Sequence, residues 1–226
     1  AKLTWHGNNN DKTIRKQTSL YYGPKYHPEQ IQQALEQIKG KYNSYVGEPK
    51  AVAELLSENN IVAMYQGSSE AGPRALGNRS ILYNPTDPNG KDFVNQVKGR
   101  EWFRPFAGTI LEENANEWFD FAGMEGSPSM MYAVDVLPEK QNQIQAITHV
   151  DGTCRIQTVN KQQNENYYNV INEFKNITGI PIVFNTSFNL AGDPLVETIY
   201  DALDALEKSD IKYLYLPELK LILEKK

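Results

Sequence analysis

A chain of 226 residues with 40% hydrophobic and 23% charged side chains has the composition of a folded globular domain, long enough to bury one sizeable core. Its net charge of −5 argues against broad attraction to nucleic acid or an anionic membrane, and no apolar run approaches the roughly 20 residues of a membrane span. A single cysteine, Cys154, excludes an internal disulfide, and His6, His27 and His149 are too dispersed for zinc-ligand spacing, so no structural metal is expected and the chain reads as cytoplasmic.

Residues 1–19 are polar and aperiodic and read as a tail or linker; the absence of Met at position 1 fits a piece of a longer protein. Pro28 opens a helix in which Ile31, Leu35 and Ile38 recur at helical spacing, and Gly40 closes it. A second helix is expected over 50–59, with Val52, Leu55 and Leu56 on one face, delivering the chain into the apolar strand Ile61–Tyr65. That strand empties into Gln66–Ser80, where three glycines, Pro73, Glu70, Arg74 and Arg79 lie together. Glycines let backbone N–H groups approach a ligand and guanidinium forks hold oxygens in pairs, so an anion such as phosphate suits the loop. A glycine-rich turn with two solvated arginines fits it equally.

Beyond the loop, Ser80–Tyr83 reads as a short strand and Asp87–Val97 as a helix with Phe93, Val94 and Val97 buried. Lys98–Phe106 then gathers Lys98, Arg100 and Arg104 with Glu101 and three aromatics, a second basic segment whose rings can support its cations. Loop 123–128, strand Met130–Val136 and surface turn Pro138–Gln143 follow. Residues 146–157 read as two strand pieces joined by Asp151-Gly152, a hairpin that would bring His149 near Arg155 with both available to a ligand. Cys154 reads as a small buried residue. A helix over 164–178, with Tyr168, Ile171 and Phe174 inward and Gly179 at its end, leads to strand Pro181–Phe184. The polar loop Asn185–Asn189 then offers Thr186, Ser187 and Asn189 as neutral donors for phosphate, ribose or carbonyl oxygens. A helix over 198–208 and strands Tyr213–Leu216 and Leu219–Leu223 close the chain.

Four ordered segments, G-S-S-E-A-G-P-R-A-L-G-N-R-S-I-L, K-G-R-E-W-F-R-P-F-A, T-H-V-D-G-T-C-R-I-Q-T-V and G-I-P-I-V-F-N-T-S-F-N, together resemble the C-terminal domain of the NodU/CmcH carbamoyltransferases. The resemblance covers about residues 20–223, with mild departures at Ala71 and Cys154. It implies a domain over 20–226 of the α/β class, with a YrdC-like twisted mixed β-sheet flanked by helices and a concave basic cleft. It further implies that ATP, with Mg²⁺, and carbamoyl phosphate form carbamoyl-adenylate there. A separate N-terminal domain, actin-like and metal-binding in that family, would transfer the carbamoyl group to an acceptor that this sequence does not identify. By the same resemblance Lys98 and Arg104 would clamp phosphate and Ser187 and Asn189 would face the nucleotide. Arg74 and Arg155 would hold carbamoyl phosphate or carbamate, with Arg79, Arg100, His149 and Thr186 as further contacts, and Glu70, Glu101 or Asp151 would help place Mg²⁺. A nucleotide- or RNA-binding module without chemistry, and a structural domain that completes a partner's active site, are the competing readings.

Overall fold

Pro28 and Pro49 occupy first helical turns, where a missing N–H costs nothing, and start α1 (Pro28–Gln37) and α2 (Pro49–Ser57). The computed structural model describes residues 19–38 and 40–226, so all but the last residue of the expected N-terminal tail, and His6, lie outside the described residues. Between and beyond those helices run β1 (Tyr42–Val46), β2 (Val62–Tyr65), β3 (Arg79–Tyr83), α3 (Gly90–Lys98) and β4 (Ala107–Leu111). The second half holds β5 (Phe119–Asp120), β6 (Ala133–Val136), β7 (Thr153–Val159), α4 (Glu165–Thr178), β8 (Ile182–Ser187), α5 (Ile199–Glu207), β9 (Tyr213–Leu216) and β10 (Leu221–Lys225).

The strands form one mixed sheet in the order β1-β10-β9-β2-β3-β8-β4-β7-β6-β5, parallel only at β2/β9 and β4/β7. The central strands are apolar at successive positions because both sheet faces are covered. Alternate residues go to opposite cores: Val62, Met64, Leu82 and Val183 pack with α2 and α4, whereas Ala63, Tyr65, Ile81, Tyr83, Ile182 and Phe184 share a core with residues of α1, α3 and α5. The expected α/β architecture, a mixed sheet flanked by helices, is the one observed.

Several local expectations change. Residues 146–149 form no strand, so the hairpin does not exist; β7 already has β4 on one side and β6 on the other, which leaves no edge for that arm. Asp151-Gly152 is instead a tight turn closed by the His149 N–H donating to Thr153 O at 2.7 Å. The polar segment after Phe184 is strand rather than loop as far as Ser187, because β3 and β4 bond β8 from both sides, Ser80 opposite Ser187 and Ala107 opposite Asn185. Strand β6 begins three residues later than expected, after a turn in which the Met130 N–H donates to Ser127 O, and β10 begins after a left-handed Lys220. Phe93 is exposed at the edge of α3 and leans on Tyr83, ring centroids 5.5 Å apart. On α4 the buried face is Tyr167, Val170, Ile171 and Phe174, and Tyr168 lies beside it with its hydroxyl on Glu113.

Candidate anion site

Four sequence-distant pieces meet at one end of the central strands β3, β8, β4 and β7. Register places Ala107, the first residue of β4, opposite both Arg155 of β7 and Asn185 of β8, while Ser187 lies opposite Ser80 of β3. The loop before β3 and the segment joining α3 to β4 therefore meet over the same strand ends. Between them is a cavity of about 400 Å³ lined by Arg74, Arg100, Arg104 and Arg155, with Asn185, Thr186, Ser187 and Phe103. Of the expected site residues, these four arginines and two hydroxyl residues are brought together.

Among the described residues no aspartate or glutamate lines that cavity, and Arg104 alone of the four is ion-paired, its Nε donating to Glu101 at 2.6 Å on the exposed rim. Nε of Arg74 and Nε of Arg155 are buried without a hydrogen-bond partner. Burial, then the neighbouring Arg74, lowers the pKa of the Arg155 guanidinium from its ordinary value, and burial followed by Arg104 does the same to Arg100. Desolvated like charges held together raise the energy of the empty site, a cost that a bound anion offsets. The guanidinium of Arg100 lies 5.2 Å from the Phe106 ring, which supports it from below.

Lys98 stands behind the cavity rather than in its lining. Gly99, left-handed at φ +64°, ends α3 and lets the preceding lysine point inward. Its Nζ donates to Ser187 O and, at 3.2 Å, to Asn189 Oδ1, while Ser187 Oγ donates to the same Asn189 oxygen at 2.6 Å. Burial and then Arg100 push its ammonium down to about 7. Lys98 thus fixes the end of β8, and with it the two residues expected to face a nucleotide.

The remaining candidates are engaged in structure. Arg79, fully buried, donates from Nη1 to Gln66 O at 2.6 Å and Asn78 O at 3.0 Å, and from Nη2 to Gly67 O and Glu197 O at 3.3 Å; its guanidinium lies 3.8 Å over the Tyr65 ring. It is spent on carbonyls and does not line the cavity. Glu70 Oε1 accepts the N–H groups of Leu76 and Asn78 at 2.8 Å and of Arg79 at 3.3 Å, shaping the loop. Both His149 ring nitrogens are occupied, Nδ1 with Thr153 Oγ1 and Nε2 with Phe106 O, each at 3.1 Å. Asp151 holds its own turn through Thr153, and Glu101 pairs with Arg104. None of these acids forms a metal site with others: among the described residues no group of three or more His, Cys, Asp or Glu could hold an ion.

Three supporting residues, Asn185, Thr109 and Gln157, were not among the expected site residues. Asn185 donates to Thr109 Oγ1 at 3.0 Å and to Ala75 O at 3.2 Å, Thr109 donates to Gln157 Oε1 at 2.9 Å, and Gln157 donates to Leu76 O at 3.2 Å. This buried chain ties β8, β4 and β7 to the loop that carries Arg74. Polar residues at positions facing a core were the one available clue. Among the described residues, no helix is long and apolar enough to cross a membrane.

Residues 53–223 match the family model described as carbamoyltransferase C-terminus. Nodulation protein NolNO of Sinorhizobium fredii is 45% identical over 70% of the chain and 24% of its own length, and nodulation protein NolO of Bradyrhizobium diazoefficiens is 45% identical over 71% of the chain and 30% of its own. An uncharacterized protein of Methanocaldococcus jannaschii is 42% identical over 81% of the chain and 31% of its own length. The chain thus spans a third or less of the length of these relatives. Among solved structures, full-length HypF in its phosphate- and nucleotide-bound form matches 75% of the chain and 21% of its own with a TM-score of 0.54 at 21% identity, a likeness of fold. HypF of T. kodakarensis matches 82% of the chain and 23% of its own at 0.52 and 15%.

Proposed function

The chain belongs to the carbamoyltransferase C-terminus family, and from that premise we propose that its arginine cavity binds ATP and carbamoyl phosphate and forms carbamoyl-adenylate. The observation that carries this reading is the convergence of Arg74, Arg100, Arg104 and Arg155 on one cavity to whose lining the described residues bring no carboxylate. Both substrates are polyanions, and both need what this lining offers. The family membership supports carbamoyl chemistry, and the phosphate- and nucleotide-bound HypF of similar fold supports a phosphate-bearing ligand.

In the proposed sequence, water cleaves the P–O bond of carbamoyl phosphate to give carbamate and inorganic phosphate. A carbamate oxygen then attacks the α-phosphorus of ATP; the new O–P bond forms as the bond to the β-phosphate breaks and pyrophosphate leaves. Negative charge accumulates on the phosphoryl oxygens, and such steps depend on positioning and on fixed cations. Arg74 and Arg155, neighbours whose Nε atoms are buried without a partner, hold the carbamoyl phosphate; Arg100 and the exposed Arg104 hold the triphosphate. Thr186 and Ser187 supply hydroxyls from a strand bonded on both sides, so they are positioned before any ligand arrives. Lys98 is a positioning residue for Ser187 and Asn189. Mg²⁺ would enter with the triphosphate and offset part of its charge. The rest of a longer protein, in the relatives two thirds or more of the length, would carry the acceptor step in an actin-like metal-binding domain.

ATP–pyrophosphate exchange with Mg²⁺ and carbamoyl phosphate tests the reading, in this chain and in the longer protein. Exchange that falls at least about a hundredfold in Arg155→Met is expected, since an anion stripped of a buried cation loses about 2–5 kcal/mol. Absence of exchange in both proteins would sink the adenylation step.

A further inference from the structure

A triphosphate held by arginines leaves its nucleoside to be placed, and the cavity's apolar lining is Pro73, Ala75, Phe103, Pro105 and Met130. One aromatic residue is in the lining, Phe103, and it is 62% exposed. Its neighbour Trp102 is 71% exposed, and the two rings stand nearly perpendicular, 86° apart with centroids at 6.1 Å. Large rings left in water beside a ligand cavity suit a planar partner.

These rings do not sit on a loose loop. From α3, Asn95 Nδ2 donates to Trp102 O at 3.2 Å and to Arg104 O at 3.1 Å, clamping the backbone on both sides of Phe103. Within the turn, the Arg100 N–H donates to Asn95 O at 2.8 Å and the Arg104 N–H to Glu101 O at 3.1 Å. Asn95 is itself buried, and Lys91 Nζ lies 5.9 Å from the Trp102 ring. The backbone carrying two outward rings is thus pinned, with Arg100 and Arg104 on either side in sequence.

We propose that Phe103, braced by Trp102, is the platform on which the base of a bound nucleotide stacks while Arg100 and Arg104 hold its phosphates. This rests on the nucleotide reading above and adds the place of the base. A face-on contact with an aromatic ring tolerates any base, so the platform contributes affinity for nucleotides over bare polyphosphates and little choice among bases. The order Arg100, Trp102, Phe103, Arg104, two rings flanked by cations, gives phosphate and base adjacent partners on one short segment.

Calorimetry with two probes, ATP and inorganic triphosphate, separates the parts. In Phe103→Ala the Kd for ATP should rise about tenfold, the lower range of one lost stacking contact, with triphosphate binding unchanged. Phe103→Tyr, which keeps the ring, should bind ATP as the parent does, and Phe103→Leu should behave as Phe103→Ala. Equal loss for both probes, or no loss for ATP, overturns the platform, the second result also if Phe103→Ala instead weakens association with the rest of a longer protein. A parent chain that binds triphosphate and ATP with equal affinity also overturns it while leaving the arginine site standing. If the parent binds neither probe, the nucleotide reading fails and the platform falls with it.

Discussion

At the scale of single residues, similar side chains take opposite roles within a few positions. Arg74 and Arg79 belong to one motif, yet Arg74 lines the cavity and Arg79 is consumed by four backbone carbonyls. Sequence can mark the loop as basic, but which arginine turns inward depends on where β3 begins, and β3 begins at Arg79 itself. An acid beside phosphate-binding residues invites a reading as a magnesium ligand; Glu70 Oε1 accepts three backbone N–H groups and shapes the turn, while its Oε2 is buried without a hydrogen-bond partner. Lys98 gives a pH signature. Its folded value of about 7 lies below the ordinary 10.5, so between those values the unfolded chain holds a proton that the folded chain lacks, and stability rises with pH across that window. Below pH 7 both states are charged and the burial cost is fully present. Urea unfolding of the parent should therefore gain about 2–3 kcal/mol from pH 7 to pH 9 relative to Lys98→Met, which has no such group. Parallel curves for the two proteins would refute this account of Lys98.

Elements were legible where the pattern was local. Both proline-started helices, the strand into the glycine-rich loop and the last helix appear near their expected places, because capping, periodicity and turn chemistry act within a few residues. Long-range pairing was not legible: β7 pairs with β4 and β6 rather than with residues 146–149, and no local signal states which strand occupies an edge. Strand β8 outran its apolar stretch for the same reason, with two neighbours recruiting Asn185, Thr186 and Ser187 into the ladder. The loop carrying Arg74 shows how closely an irregular element can be specified. Gly77 has φ +106°, and a Cβ there would lie 2.2 Å from the buried ring of Tyr167 on α4. Gly77→Ala combines a strained backbone with a clash against a side chain that cannot withdraw. A loss of about 3 kcal/mol or more is expected in urea unfolding, whereas Gly72→Ala, strained but meeting nothing within 4 Å, should cost markedly less.

For the whole molecule, the net charge of −5 conceals a site of the opposite sign. That site is held against its own repulsion, which leads to a trade between stability and binding. Replacing Arg155 by Met keeps most of the side-chain volume and removes a half-buried cation beside Arg74 and Arg100. The folded chain should melt no lower than the parent in the absence of ligand, while its affinity for inorganic triphosphate falls at least tenfold. A lower melting temperature with unchanged affinity would reverse the roles assigned to this residue.

The place of β8 between β3 and β4 also orders events in time. Its neighbours β3 and β4 end at Tyr83 and Leu111, whereas β8 begins at Ile182, so each has a sheet edge open until β8 emerges. The nascent chain must carry those exposed edges until β8 is made, an interval in which strand-to-strand association between chains competes with completion of the sheet. Because Asn185, Thr186 and Ser187 arrive on that same strand, ligand cannot rescue the waiting intermediate: the last strand to close the gap is also the one that finishes the cavity.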